Sequence, residues 1–193
     1  MIKDEQVREE IIIQAQKLFK QYGLKKTTMD EIAAASGKAK STMYHYFKNK
    51  DEVFDEVLLK ELHYLRAAVI QEVARQSTLR EKLKAYFQTF HRETIDKINL
   101  FRILKQELKS EIEKSNRFNN VIEFEKTFIS KLISDGIDRN EFSGIGKNDI
   151  PWFSEIVLVA FLGIVRYSIE KEGEFDETKF NKVTDVLIPR IFA

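Results

Sequence analysis

The sequence predicts an all-α protein of about nine helices, in which a small N-terminal three-helix head precedes a larger helical body. Three observations carry this. The only prolines are Pro151 and Pro189, so the first 150 residues contain no proline to break a helix. Charged residues make up 33% of the chain and are rich in Lys and Glu, both good helix formers. Apolar residues recur at three- and four-residue spacing along most of the length.

The first helix is expected from about Asp4 to Tyr22. Val7, Ile11, Ala15, Leu18, Phe19 and Tyr22 form one apolar stripe along it, and Gly23 supplies a C-terminal cap. Thr28 and Glu31 have capping-box spacing, so a second helix starts at Met29, turns Ile32 and Ala33 inward and ends at Gly37. A tight turn, Gly37-Lys38-Ala39, leads to a short helix over Lys40 to Tyr46. Asn49 and Glu52 open a long helix to about Arg75, with Val53, Val57, Leu58, Leu62, Leu65 and Val69 facing inward. Thr78 and Glu81 start another, through roughly Asp96. Further amphipathic segments cover about Leu100–Glu113, Asn119–Asp135, Pro151–Glu172 and Asp176–Ile191. Breaks are expected at Ser77, Asn99, Ser115–Asn116, a loop over Gly136–Asn148, and Gly173. This divides the chain into a head over residues 1–50 and a body over 51–193, joined by the helix that begins near residue 50.

Composition excludes several classes of function. Hydrophobic residues at 43% suffice for a real core. With no cysteine, disulfides, thiolate zinc sites and thiol nucleophiles are ruled out. The charged N-terminus does not read as a signal peptide, and the apolar run Ile156–Val165 is short for a bilayer, so a cytoplasmic location is expected. His45, His63 and His91 stand apart, without a metal-binding spacing, and no glycine-rich phosphate loop occurs. The acids Asp51, Glu52, Asp55 and Glu56 sit at a helix start, where they meet its dipole. An enzyme is therefore not expected, and neither a metal nor a cofactor.

The net charge of +1 hides an asymmetry. Residues 1–50 carry ten Lys/Arg against six Asp/Glu, whereas the remainder is net acidic, and four lysines with no acid lie between Lys38 and Lys50. A basic head on a near-neutral chain suits a polyanion partner.

The informative stretch is Thr27 to Val53. Ala33 lets helices approach closely, and Gly37, four residues on, permits a left-handed turn. The helix after the turn carries Lys40, Ser41, Thr42, Tyr44 and His45, all hydrogen-bonding side chains, and has little to bury except Met43, with Phe47 just beyond. A helix so short and polar suits insertion into a DNA major groove. The segment from Thr27 to Lys50, and above all Thr42-x-Tyr44-x-Tyr46-Phe47-x-x-Lys50 preceded by Ile32-Ala33 and Gly37, resembles the helix-turn-helix signature of the TetR family of bacterial transcription regulators. The resemblance covers about residues 5 to 56.

The resemblance implies that residues 40–46 are the recognition helix, with Lys40, Ser41, Thr42 and Tyr44 facing the groove. It places Tyr46 and Lys50 at the DNA backbone, Lys50 at a helix N-terminus as well, and makes Thr28 a cap and phosphate contact. His45 falls to phosphate or base. Two positions depart from the pattern. Lys38 stands where an apolar residue is usual and must lift its amine outward from a buried stem. Ala39 replaces a capping Ser or Thr, a loss of about 1 kcal/mol.

The resemblance also implies a homodimer on an inverted-repeat operator, its recognition helices about 34–36 Å apart, repressing transcription until a small-molecule effector in the body weakens binding. Ile156–Val165 is apolar nearly all round and is expected to be buried on more than one side, with Gly163 allowing close approach. The last helix, with Phe180, Val183, Val186, Leu187 and Ile191, can pair with it in a four-helix dimer interface. The alternative is that both belong to the chain's own core. Phe87, Phe90, His91, Phe101, Phe128, Trp152 and Phe161 offer aromatic surface for an apolar ligand, though at helical spacing most aromatics are core. Two other functions remain open: a DNA-binding protein controlled by a protein partner or by no ligand, and a helical small-molecule-binding protein with impaired DNA binding.

Overall fold

The computed structural model describes residues 2–96, 116–141, 144–171 and 176–192, and among the described residues all regular structure is helical. The described residues form eight α-helices: α1 (Ile2–Tyr22), α2 (Met29–Ala35), α3 (Lys40–Tyr46), α4 (Lys50–Ala74), α5 (Leu79–Asp96), α6 (Asn116–Asp138), α7 (Ile150–Glu170) and α8 (Glu177–Ile191). A 3-10 turn, Lys147–Asp149, precedes α7. The helix expected over Leu100–Glu113 lies outside the described residues, as does Gly173. The chain divides into two units within α4, between Tyr64 and Leu65.

The N-terminal unit is built as its capping chemistry dictates. Gly23 takes φ +80 and donates its N–H to the Phe19 carbonyl at 2.9 Å, closing α1. The Thr28–Glu31 capping box is formed. Gly37, at φ +64, allows the Lys38 N–H to reach back to the Ala33 carbonyl at 2.9 Å and so ends α2. Asn49 Oδ1 accepts the Glu52 N–H at 2.8 Å and caps α4. Ile11, Ala15, Phe19, Ile32, Ala33, Met43, Phe47, Val53, Phe54 and Val57 share one buried core. Within it Phe19 and Phe54 meet edge to face, centroids 5.3 Å apart. Tyr22, expected on the inner stripe, is instead 52% exposed, because α1 reaches its capping glycine one residue later, beyond the cover of the core.

In the second unit α8 packs on α5, and α6 and α7 pack on each other and on α5. Tyr86 of α5 is fully buried and touches the rings of Phe87, Phe90, Phe128 and Phe161. Its hydroxyl donates to Glu125 Oε2 of α6 at 2.7 Å, while Arg66 Nε of α4 donates to the other oxygen at 3.2 Å. The Arg66 guanidinium also stacks 3.9 Å above Phe124.

Three expectations are corrected here. Gly136 does not open a loop but lies buried in the last turn of α6, where a Cβ would sit 2.9 Å from Leu79 Cβ; the glycine serves close approach of α5 and α6. α7 is buried along one face only, through Ser154, Leu158, Phe161, Val165 and Ser168. On its other face Ile156 is 57%, Val159 63% and Tyr167 51% exposed. The stretch Lys147–Ser168 is also, by length and composition, long and apolar enough to cross a bilayer, because beyond Glu155 and Arg166 the ten-residue apolar run is continued by uncharged residues, Ile150 to Ser154 and Tyr167 to Ser168. Finally, Trp152 does not join the interior aromatics: it is half exposed, its indole N–H donating to Asp149 Oδ1 at 3.2 Å. Phe101 lies outside the described residues.

Candidate nucleic-acid interface

α3 is held from below by two residues. Met43 and Phe47 are buried in the N-terminal core, and Arg8 lies over the Phe47 ring at 5.2 Å. Everything else on the helix turns outward or to its edges. Lys40, Ser41, Tyr44 and His45 are exposed, and Thr42 and Tyr46 are partly covered. Ala39 makes no side-chain cap bond, so the first N–H groups of α3 are left to an outside acceptor. Lys38 behaves as its chemistry requires: its stem is mostly covered and its ammonium meets Glu10 at 2.6 Å.

Four of the predicted site residues, Thr28, Lys40, Tyr44 and Lys50, line one open cleft of about 320 Å³ between the start of α2 and the outer face of α3. Lys25, Thr27, Met29 and Asp30 complete its walls. Lys50 sits at the first turn of α4 and donates to the Leu24 carbonyl at 2.6 Å, which ties α4 to the loop before α2 while leaving two ammonium protons for an anion. Ser41 and Thr42 stand on the first turn of α3 beside the cleft, and His45 meets the Tyr46 ring edge to face at 5.0 Å.

Two partners were not evident in the sequence. Lys40 bonds Asp30 Oδ2 at 2.9 Å, which raises the lysine above its ordinary pKa. The Tyr46 hydroxyl donates to Asp4 Oδ1 at 2.9 Å; that bond pushes the phenol up and, with the charge of the N-terminus, draws the Asp4 carboxyl down. These pairs span ten and 42 residues. No local spacing signals them.

A buried three-helix head that presents a short, polar, uncapped helix beside a lysine-lined cleft defines a helix-turn-helix protein. Residues 11–57 match the family model of the bacterial regulatory proteins of the tetR family. That match lies wholly within the N-terminal unit, over α2, α3 and the adjoining parts of α1 and α4. The chain is 48% identical over 59 residues to an uncharacterized HTH-type transcriptional regulator, YhgD, of Bacillus subtilis, covering 28% of this chain and 31% of that one. It is 34% identical over 80 residues to the HTH-type transcriptional repressor KstR2 of Mycolicibacterium smegmatis, covering 42% of this chain and 39% of that one. The chain thus spans between 31% and 39% of the length of these curated relatives. The fold extends further. The structure of the fatty acid degradation regulator FadR from Bacillus halodurans superposes with a TM-score of 0.74 at 20% identity, covering 94% of this chain and 93% of that one.

Proposed function

We propose that this protein is a DNA-binding transcriptional repressor that holds an inverted-repeat operator as a homodimer and leaves it when a small molecule occupies its body. The observation that carries the reading is the convergence of Thr28, Lys40, Tyr44 and Lys50 on one cleft beside the outward face of α3. Lys40, Ser41, Thr42 and Tyr44 read the groove. Thr28, Tyr46 and Lys50 hold the phosphates, and His45 lies at the edge of the contact. Repression is the sign supported by the Mycolicibacterium relative, a transcriptional repressor by name. Such a protein works beside the chromosome, in the cytoplasm.

The dimer is supported by an apolar surface that this chain alone leaves uncovered. Ile156, Val159, Gly163 and Tyr167 recur at helical spacing on the outer face of α7, and Val186, Leu187 and Ile191 are 42–49% exposed on α8. A Cβ at Gly163 would meet nothing within 4 Å, room that a partner helix can use. Effector control has a physical route in α4. It is one helix of 25 residues whose two parts belong to different units, so a ligand that biases packing around Leu65–Ala74 acts on the helix that starts at Lys50.

The test is fluorescence anisotropy with DNA from upstream of the protein's own gene, across a salt series, for the wild type and Tyr44→Ala. Tyr44 is the cleaner probe because it is half exposed, whereas Lys50 also ties α4 to the Leu24 carbonyl. Saturable binding that beats scrambled DNA and is lost in Tyr44→Ala is expected. Equal affinity of the two proteins would remove the recognition-helix assignment.

A further inference from the structure

His91 is the most unusual buried group in the second unit. Its side chain is 0% exposed and lies flat against Phe180 of α8, centroids 3.8 Å apart and planes 11° from parallel. Among the described residues neither ring nitrogen has a hydrogen-bond partner. Thr94, one helical turn further along α5 on the same face, is 1% exposed and its hydroxyl is likewise unpartnered. Beside Phe180 on α8, Asn181 Oδ1 is a third such group.

Buried polar atoms are nearly always satisfied, because each one left bare forfeits its hydration without return. This interface is capable of satisfying them. One turn back along the same helix pair, Gln88 Nε2 donates to Thr184 Oγ1 at 2.9 Å, and the Thr184 hydroxyl donates in turn to the Asn181 carbonyl at 2.9 Å. Apart from Arg66 Nη2, the unpartnered groups lie where α5 and α8 pack on each other: His91 and Thr94 one turn apart on α5, and Asn181 next to the Phe180 on which the His91 ring stacks. An aromatic shell surrounds that place: Phe161 contacts Phe87 at 4.3 Å, Phe90 at 5.5 Å and Phe180 at 5.9 Å.

We propose that His91 and Thr94, with Asn181, are the polar anchor of the effector site, and that the effector is an apolar molecule bearing an uncharged oxygen function, a hydroxyl or a carbonyl. The inference rests on the reading of the body as an effector site. The aromatic shell takes the apolar part by dispersion and area burial. The polar end is specified by proton inventory. Burial holds the imidazole neutral, its pKa lowered to about 4, so it offers one N–H donor and one acceptor nitrogen and no positive charge. The threonine hydroxyl offers a second donor and acceptor, and Asn181 Oδ1 a further acceptor. An alcohol or ketone matches this set. A carboxylate would bring a full charge into an apolar site with no cation supplied by the ring. Arg92, next in the chain, is 42% exposed and faces Glu93 at 3.5 Å.

The experiment uses the full chain and three proteins: wild type, His91→Phe and Thr94→Val. Octanol, phenylethanol and acetophenone are titrated beside octanoate, benzoate and ethylbenzene, following the His91 ring nitrogens by NMR, affinity by calorimetry, and thermal unfolding without ligand. The alcohols and the ketone should move the ring nitrogens and bind either variant on the order of tenfold more weakly, the loss of one hydrogen bond. Both variants should unfold at or above the wild-type temperature, because each removes a bare buried polar group; a residue kept for structure would lose stability instead. Ring nitrogens unmoved by every compound, unchanged affinity in both variants, or carboxylates favoured over alcohols would each overturn the assignment. Compounds that bind through His91 without releasing DNA would leave it standing and remove the effector reading. Release of DNA with His91 untouched would do the reverse.

Discussion

The Lys40 ammonium at the start of α3 is held 2.9 Å from Asp30 Oδ2 on α2, and both side chains are well exposed, at 65% and 63%. An exposed pair adds little to stability. Under the proposed DNA-binding function its consequence is for binding: the first cation of α3 would meet DNA already neutralised, and a phosphate or base edge would have to take it from Asp30. Asp30→Asn is therefore expected to raise affinity for scrambled DNA severalfold, to steepen the salt dependence by about one counterion, and to narrow the margin between operator and scrambled sequence. Anisotropy titrations at several salt concentrations measure all three quantities. Unchanged scrambled-DNA affinity would mean that the pair opens freely.

The buried carboxylate of Glu125 is the joint of the second unit. It accepts from Tyr86 at 2.7 Å and Arg66 at 3.2 Å, linking α4, α5 and α6. Burial, chiefly, holds the Tyr86 phenol well above its ordinary pKa, so it remains a donor across the usable pH range. Glu125→Ala strands the Arg66 guanidinium, whose Nη2 already has no partner among the described residues. It should cost about 3 kcal/mol or more. Tyr86→Phe leaves the ion pair in place and should cost about 1–2 kcal/mol. Urea unfolding of the two variants and their double mutant checks this ranking. Equal losses for the two single variants would show that the phenol, not the ion pair, holds the joint.

What was legible in the sequence was local. Thr28 and Glu31, Asn49 and Glu52, Gly23 and Gly37 each signal a helix end through chemistry confined to a few residues, and each such end forms as expected. The alternation of apolar positions likewise placed Ile11, Ala15, Phe19, Val53 and Val57 in the core. The groups that set the electrostatics of the candidate interface and of the second unit are not local. Asp4 reaches Tyr46 across 42 positions and Glu125 reaches Arg66 across 59, pairings set by tertiary packing alone. Gly136 misled for a related reason. A glycine needed for close helix contact and a glycine that ends a helix look the same until Leu79 is seen against it.

The outer face of α7 provides a prediction about assembly. Val159 is 63% exposed and central among Ile156, Gly163 and Tyr167. Val159→Arg should leave the fold of the single chain intact, since it adds a charge to a surface position, yet it would bury that charge unpaired in a two-fold interface. Sedimentation equilibrium is expected to move from dimer toward monomer, with operator affinity falling along with it and the helical circular dichroism unchanged. A variant that remains dimeric with full operator affinity would place the interface elsewhere.

His91 makes stability depend on pH in a definite direction. An unfolded chain takes up a proton at this imidazole near its ordinary value of 6.5, whereas the folded chain refuses it until about pH 4. Between those values the unfolded state binds more protons, so the contribution of this group to stability is fully present above about 6.5, declines as the pH falls, and levels off below about 4. The whole decline is at most about 3 kcal/mol. Carboxylates titrate in the lower part of the same range, and His91→Phe separates the two effects, because it keeps the stacking on Phe180 and every carboxylate while deleting the imidazole. The difference in unfolding free energy between wild type and His91→Phe should be flat above 6.5 and should shift against the wild type by a growing amount as pH falls toward 4. Parallel curves across that window would mean that His91 is protonated in the folded chain as readily as in the unfolded one, and that its ring is not enclosed as the stacked geometry places it.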